Sequence, residues 1–392
     1  MSNFQPFSGG AMRRTIFDED HDAFRKSCRT FVDRTLRPHH EKHMANHEFG
    51  REVWLELGKQ GFLGLNVPEE YGGAGVNDLR FSLILAEELS KLAFAYPSCV
   101  GIHTNCTAPY LVDLCTEEQK QRWLPGFCSG ELITALAMTE ASGGSDLAAL
   151  RTRAVRDGDD WILNGSKTFI TNGASADFVL VAARTSPEKG AKGITLFAVE
   201  AGMLGFERGP KLEKVGQPES DLSELFFGDV RVPAANVIGE IDRGFVYMME
   251  RLVAERIGST VNNIAHARQI LDETLVYVKE RKAFGTPIGS FQANKFRLAE
   301  LQTLAEVTQA FVDQCVMEAV HGTLTPVDAA KAKWWSAQAQ NDILDACVQM
   351  WGGYGYMNEY RVARAWADAR PSKIWAGSNE IMKELIGRDL GL

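Results

Sequence analysis

The sequence predicts an α+β protein in three parts: an N-terminal helical domain, a central antiparallel β-barrel domain and a C-terminal four-helix bundle. Apolar residues recur at helical spacing up to about residue 130 and again after Gly239. Between them runs a succession of short β-rich stretches separated by turn dipeptides. A length of 392 residues, against about 150 per domain, agrees with two or three cores. The expected domains are residues 1–133, 134–240 and 241–392.

In the first part, Phe24, Cys28, Phe31 and Val32, and again Phe81, Ile84, Leu85, Leu89 and Leu92, carry the helical period. Thr116-Glu117-Glu118-Gln119 has the pattern of a capping box, and Gly72-Gly73-Ala74-Gly75 and Pro97 punctuate between helices. In the second part the β-rich stretches are 151–155, 161–163, 167–171, 178–183, 193–199 and 222–227. Asp157-Gly158, Asn164-Gly165 and Asn172-Gly173 are read as hairpin turns, so the sheet is expected to be antiparallel and curled into a barrel. In the third part, Val253, Ile257, Val261, Ile264, Ile270, Leu271 and Leu275 mark one long helix ended by Gly285-Thr286-Pro287. Further helices are expected over 291–321 and 326–350, the last opened by Thr325-Pro326.

Composition narrows the function. Hydrophobic residues make up 45% and charged residues 24%, which excludes a disordered or fibrous chain. With 42 basic and 51 acidic residues the net charge is −9, so the overall field opposes nonspecific binding to nucleic acid. Seven cysteines without a CxxC pair suit neither a disulfide framework nor a zinc knuckle, and a reducing compartment is expected. No apolar run approaches the roughly 18 residues of a spanning helix. Met1 to Arg14 lacks the apolar stretch of a signal peptide, so a cytoplasmic location is expected.

Three segments offer chemistry. The loop from Thr139 to Asp146 combines paired glycines with hydroxyls, suiting contact between exposed backbone N–H groups and a flavin or phosphate; an ordinary surface loop has the same composition. Gln349 to Tyr356 places glycines and aromatics after a helix, fitting either a nucleotide or a helix stop. Arg281-Lys282-Ala283-Phe284-Gly285 fits a pyrophosphate clamp or a solvated last helical turn. His39, His43 and His47 share one helical face at metal-ligand spacing, but nothing nearby completes a site, and no metal is expected.

Taken together and in order, these motifs resemble the acyl-CoA dehydrogenase family from about Phe17 to the C-terminus. The matching residues are Met138-Thr139-Glu140 through Ser145-Asp146, Asn164 to Lys167, Phe169-Ile170-Thr171-Asn172-Gly173, Arg281 to Gly285, Phe291-Gln292, Gln349 to Gly353 and Gly377 to Ile381. The resemblance implies FAD-dependent oxidation of an acyl-CoA thioester to the trans-2-enoyl product, with electrons passed to an electron-transfer flavoprotein. It assigns FAD contact to Leu136, Met138, Thr139, Gly144, Ser145, Phe169, Ile170 and Thr171. Further FAD contacts fall on Arg281, Phe284, Gln292, Gln349, Met350, Gly352, Gly353, Ser378, Asn379 and Glu380. Arg281, Gln292 and Gln349 to Gly353 would reach the cofactor across a dimer interface, and a homotetramer is expected. Substrate contact falls on Ser145, Val253, Arg256, Ala376 and Gly377. The chain departs from the family at Phe169, where Trp is usual, and at Ala141-Ser142-Gly143, which replaces Pro-Gly-Ala.

The base needs separate treatment. Most relatives carry a glutamate where this chain has Ala376, and alanine cannot accept a proton. In long-chain and isovaleryl-CoA dehydrogenases the base precedes an arginine on the first long C-terminal helix, here Glu255-Arg256. Apolar neighbours around Glu255 favour a raised carboxyl pKa; helix spacing alone instead favours a surface pairing with Arg251. The backbone N–H of residue 376 survives as a donor to an enolate oxygen. A small residue at 376 relieves crowding for a long or branched acyl group, closest to the long-chain branch. An oxidase on the same fold and a non-catalytic acyl-CoA-binding protein are the rival expectations.

Overall fold

The computed structural model describes residues 12–392; most of the Met1 to Arg14 stretch discussed above lies outside them. Helix α1 (Glu19–Phe31) starts where Asp18 accepts hydrogen bonds from the N–H groups of Asp20 and His21. It is followed by α2 (His40–Asn46), α3 (Gly50–Lys59), α4 (Leu79–Ser90), α5 (Ala95–Gly101), α6 (Ala108–Leu114) and α7 (Glu117–Ser129). Thr116 and Gln119 form the expected capping box at α7. Gly130 ends α7 at φ +80°, and a Cβ there would sit 2.2 Å from the Trp54 carbonyl oxygen, so only glycine fits. A π-helical turn, Ile102–Thr107, joins α5 to α6. Phe31, Leu36, Trp54, Phe62, Leu89 and Tyr96 fill the core between these helices.

The strands are β1 (Thr134–Ala137), β2 (Arg153–Asp157), β3 (Asp160–Thr171), β4 (Phe178–Arg184), β5 (Ile194–Glu200), β6 (Phe206–Lys211), β7 (Leu222–Val232) and β8 (Val237–Ile238). They form one mixed, open sheet in the order β6-β7-β3-β2-β4-β5-β8, with β1 paired to β4. The expected antiparallel barrel is therefore corrected: the sheet is mixed and is not a closed barrel. β1 arrives directly from α7 and runs parallel to β4, Thr134 opposite Phe178, while the β2–β3 hairpin occupies the intervening chain.

The turn dipeptides explain the difference. Asp157-Gly158 does close a hairpin, with Asp157 paired to Asp160. Asn164-Gly165 lies inside β3 as a bulge: Gly165 has φ +146°, and a Cβ there would meet the Thr152 Oγ1 at 2.6 Å. Asn172, at φ 63°, turns the chain from β3 to β4, which are not neighbours in the sheet.

The last part contains α8 (Gly244–Glu280), α9 (Gln292–Val320), α10 (Pro326–Trp351), α11 (Arg361–Ala369) and α12 (Asn379–Asp389). α8 stops five residues before Gly285, because Arg281 is extended and residues 282–287 form a two-stranded hairpin. α10 packs on α8, α9, α11 and α12, and α4 lies against α8, so the bundle core continues to Leu83 of the first part. Among the described residues no helix is long and apolar enough to cross a membrane.

Candidate active site

Glu255 lies near the start of α8, half-buried, with its Oε1 out of solvent and without a hydrogen-bond partner. Burial pushes its carboxyl up to about 7, against the opposing pull of the Arg256 and Arg251 cations. The alternative pairing with Arg251 is not formed. That guanidinium lies 4.9 Å from the Tyr110 ring centroid and donates to Asp113 at 3.2 Å. The π-helical turn and α6 bring Cys106 and Tyr110 beside the carboxylate. Burial first, and then the Glu255 charge, hold both of their acidities well below ordinary strength. Tyr110 Oη, like Glu255 Oε1, has no partner.

A turn between α11 and α12 faces the same helix. Ala376 (φ 51°) and Gly377 (φ 88°) are both left-handed, a conformation costly for alanine. A Cβ on Gly377 would lie 2.5 Å from Met382 Cε and 3.9 Å from Arg256 Nη2. Arg256, Ala376 and Gly377 are thus brought together as the sequence suggested, with Val253 half-buried on α8 nearby in the chain. Trp375 stacks on Phe94 at 5.7 Å, and Phe94 stacks on His266 of α8 at 4.9 Å, which anchors the turn. Ser378 caps α12 by accepting the Ile381 N–H at 3.3 Å; Asn379 is buried with Oδ1 unpartnered, and Glu380 is exposed.

The glycine-rich loop and the end of β3 form one unit. The Thr168 N–H donates to the Thr139 carbonyl at 3.0 Å. Lys167 Nζ donates to the Met138 carbonyl at 3.0 Å and to Glu140 at 2.9 Å. Leu136 and Met138 pack against the apolar cluster containing Tyr110 and Tyr247, linking this unit to the surroundings of Glu255. Ile170 is buried, Thr171 half-buried, and Phe169, at φ 56°, presents a ring that is 65% exposed. A Cβ on Gly143 would meet nothing, Gly144 touches only Thr139, and Ser145 is exposed. An exposed aromatic ring beside open backbone fits a flat heteroaromatic ring carrying phosphate, as FAD requires.

The remaining expected cofactor residues are elsewhere in the same chain. Arg281 lies beyond the far end of α8, about 39 Å from Glu255 along the helix axis. There its guanidinium sits 5.6 Å from the Tyr354 ring, Phe284 is 97% exposed, and Gln292 and Gln349 face solvent beside half-buried Met350. A Cβ on Gly352 or Gly353 would meet nothing within 4 Å. These residues form a second open cradle that one chain does not bring to Glu255.

The histidine stripe has other partners. His43 is buried with Nδ1 2.7 Å from Tyr96 Oη, and His40, off the stripe, pairs with Glu219. Sequence reasoning missed Tyr110, Cys106 and Lys333. Lys333 Nζ donates to the Gly377 carbonyl at 2.5 Å from a fully buried position on α10. Its signal was the pair Lys331 and Lys333, which two-residue spacing puts on different faces of an amphipathic helix.

Comparison with known proteins gives the family of the chain. Residues 18–131, 135–230 and 242–391 match the N-terminal, middle and C-terminal domains of acyl-CoA dehydrogenase. The mitochondrial long-chain specific acyl-CoA dehydrogenase of Sus scrofa is 45% identical over 96% of this chain and 88% of its own. The mitochondrial isovaleryl-CoA dehydrogenase of Solanum tuberosum is 37% identical over 96% of this chain and 91% of its own. The crystal structure of an acyl-CoA dehydrogenase from Geobacillus kaustophilus superposes with a TM-score of 0.94 at 42% identity, covering 98% of this chain and all of that one. The chain belongs to the acyl-CoA dehydrogenase family and is an oxidoreductase.

Proposed function

We propose that the chain carries out FAD-dependent α,β-dehydrogenation of a long-chain or branched acyl-CoA, giving the trans-2-enoyl-CoA, with electrons passed to an electron-transfer flavoprotein. The observation that carries this is Glu255: a carboxylate with a buried, unpartnered oxygen and a pKa raised to about 7, on the helix that also presents Arg256 to the Ala376–Gly377 turn. Such a group is matched to removing a weakly acidic proton near neutrality.

In this reading Glu255 takes the α-proton of the thioester. The backbone N–H of Ala376 donates to the thioester oxygen as charge develops there. Arg256 contacts substrate together with Ser145, Val253 and Gly377. Leu136, Met138, Thr139, Gly144, Phe169, Ile170 and Thr171 hold the isoalloxazine. Bound FAD supplies the acceptor for the hydride leaving the β-carbon. Arg281, Phe284, Gln292, Gln349, Met350, Gly352 and Gly353 serve the cofactor of a second copy, within a homotetramer whose chains divide at residues 133/134 and 240/241. Seven free cysteines, six of them buried, support a reducing, cytoplasmic setting.

The test is anaerobic titration of the purified flavoprotein with a graded series of straight and branched acyl-CoA esters. Bleaching of the flavin band by long or branched esters is expected. Tight binding with no bleaching at any chain length would convert the protein to a non-catalytic binder.

A further inference from the structure

Lys333 is a lysine in the wrong place for a lysine. It sits on α10 with no solvent exposure, and among the described residues no carboxylate forms an ion pair with it. Its neighbour Lys331, by contrast, is solvated and paired with Asp328 at 3.0 Å. Burying an ammonium without a counter-ion is costly unless its donors are well used. The hydrogen bond it makes goes to the carbonyl of Gly377, at 2.5 Å. That carbonyl belongs to the turn in which Ala376 and Gly377 are both left-handed.

A second buried cation attends the same turn. Arg256 is buried, its Nε is unpartnered, and its Nη2 lies 3.9 Å from the position a Gly377 Cβ would take. The two cations repel one another, and the exposed Glu380 carboxylate, whose charge also reaches Lys333, opposes that repulsion. Two like charges held beside one strained peptide segment create a positive potential there, and fixed positive potential is what a developing oxyanion needs.

We propose that Lys333 is a positioning residue for the reaction. Its ammonium clamps the Gly377 carbonyl, thereby fixing the left-handed Ala376–Gly377 turn so that the Ala376 N–H is aimed at the thioester oxygen, and its charge, with that of Arg256, favours the enolate. This rests on the oxyanion role given to Ala376 above, but not on the identity of the base. A side chain serving only CoA phosphate or only the packing of α10 would not alter the acidity of a bound thioester.

The probe is 3-oxooctanoyl-CoA, whose C2 proton is lost to buffer to leave an enolate with its own ultraviolet absorbance. Its apparent pKa is measured free and bound to flavin-loaded wild type, Lys333→Met, Lys333→Gln and Glu255→Gln. Wild type is expected to lower the ligand pKa. Lys333→Met is expected to raise the bound value by at least one unit, a tenfold loss of enolate at fixed pH, and to lower kcat for a saturated acyl-CoA at least tenfold with KM within about threefold. Lys333→Gln, which keeps a donor and drops the charge, is expected to fall between, with at least threefold less enolate than wild type; it carries the test alone if the methionine variant does not fold. A ligand shift that survives Glu255→Gln but shrinks in the Lys333 variants supports the proposal even if turnover places the base elsewhere. Wild-type enolate acidity in the Lys333 variants, a loss confined to KM, or no ligand shift in wild type overturns it.

Discussion

The Lys167 ammonium lies 2.9 Å from the Glu140 carboxylate, both side chains buried beneath the loop that carries Thr139, Gly144 and Ser145. Glu140 also accepts the N–H groups of Arg151 at 2.6 Å and Thr152 at 2.8 Å. Burial alone would raise its carboxyl pKa, but Lys167 and the two N–H groups outweigh burial and hold it below the usual range. Glu140→Gln leaves a buried ammonium unpaired and is expected to cost about 3–5 kcal/mol in denaturant unfolding. Because the folded pKa is depressed, this contribution is present above about pH 4.5 and lost as pH falls. An unfolding midpoint within experimental scatter of wild type at pH 7 would contradict it.

Glu255 has the opposite sign. Its pKa rises from 4.5 unfolded to about 7 folded, so its contribution to stability is full below pH 4.5 and is lost as pH rises through 7. Between pH 4 and pH 8 the wild type should lose about 3 kcal/mol relative to Glu255→Gln. Over the same range kcat/KM should climb through a pKa near 7 as the carboxylate forms, and Glu255→Gln should lower kcat by at least about 10³-fold with FAD retained. Parallel pH titrations of unfolding and turnover check both; a glutamine variant with near wild-type flavin reduction removes Glu255 as base.

Phe169 projects its ring into solvent from a left-handed backbone position while Ile170 beside it is buried, so the chain invests a strained residue in exposing an aromatic face. Phe169→Ala should weaken FAD binding by about tenfold, the order expected from one stacking contact, with little change in unfolding free energy. Phe169→Trp should restore or improve binding. Equilibrium dialysis of the flavin against each variant is the measurement, and equal affinities for Phe and Ala would separate Phe169 from the cofactor.

How far these groups were legible follows from the range of the interactions that place them. α8, α9 and α10 were readable because an apolar stripe at helical period repeats over many turns, and Thr325 and Thr116 cap helices through contacts only three residues long. Asn164-Gly165 and Asp157-Gly158 share the same local preference for positive φ, yet one makes a bulge and the other a hairpin. The choice lies with the strand opposite, which no local pattern records. The parallel pairing of β1 with β4 has the same origin, and it makes mixed a sheet that the turn dipeptides alone suggested was antiparallel. Glu255 was singled out as the proposed base through its Arg256 neighbour and the alanine at 376. Tyr110 lies on α6 and Cys106 on the π-helical turn before it, a placement beside Glu255 that no local pattern records, and Lys333 escaped because lysine is ordinarily counted as surface.

The separation of Arg281 from Glu255 along α8 sets the last test. If the cradle of Arg281, Gly352 and Gly353 serves a neighbouring copy, each site draws its base from one chain and its phosphate contacts from another. Arg281→Gln should then lower FAD affinity and activity at least tenfold, and Glu255→Gln should be inactive for a different reason. Co-assembled from equal amounts of the two variants, a hybrid pair holds one doubly damaged site and one intact site, the latter combining Glu255 of the first chain with Arg281 of the second. Random pairing makes about a quarter of all sites intact, so the mixture should recover about a quarter of wild-type turnover. Were Arg281 to act within its own chain, no hybrid would contain an intact site. Activity would then stay at the average of the two separate variants, ruling out the shared cofactor site.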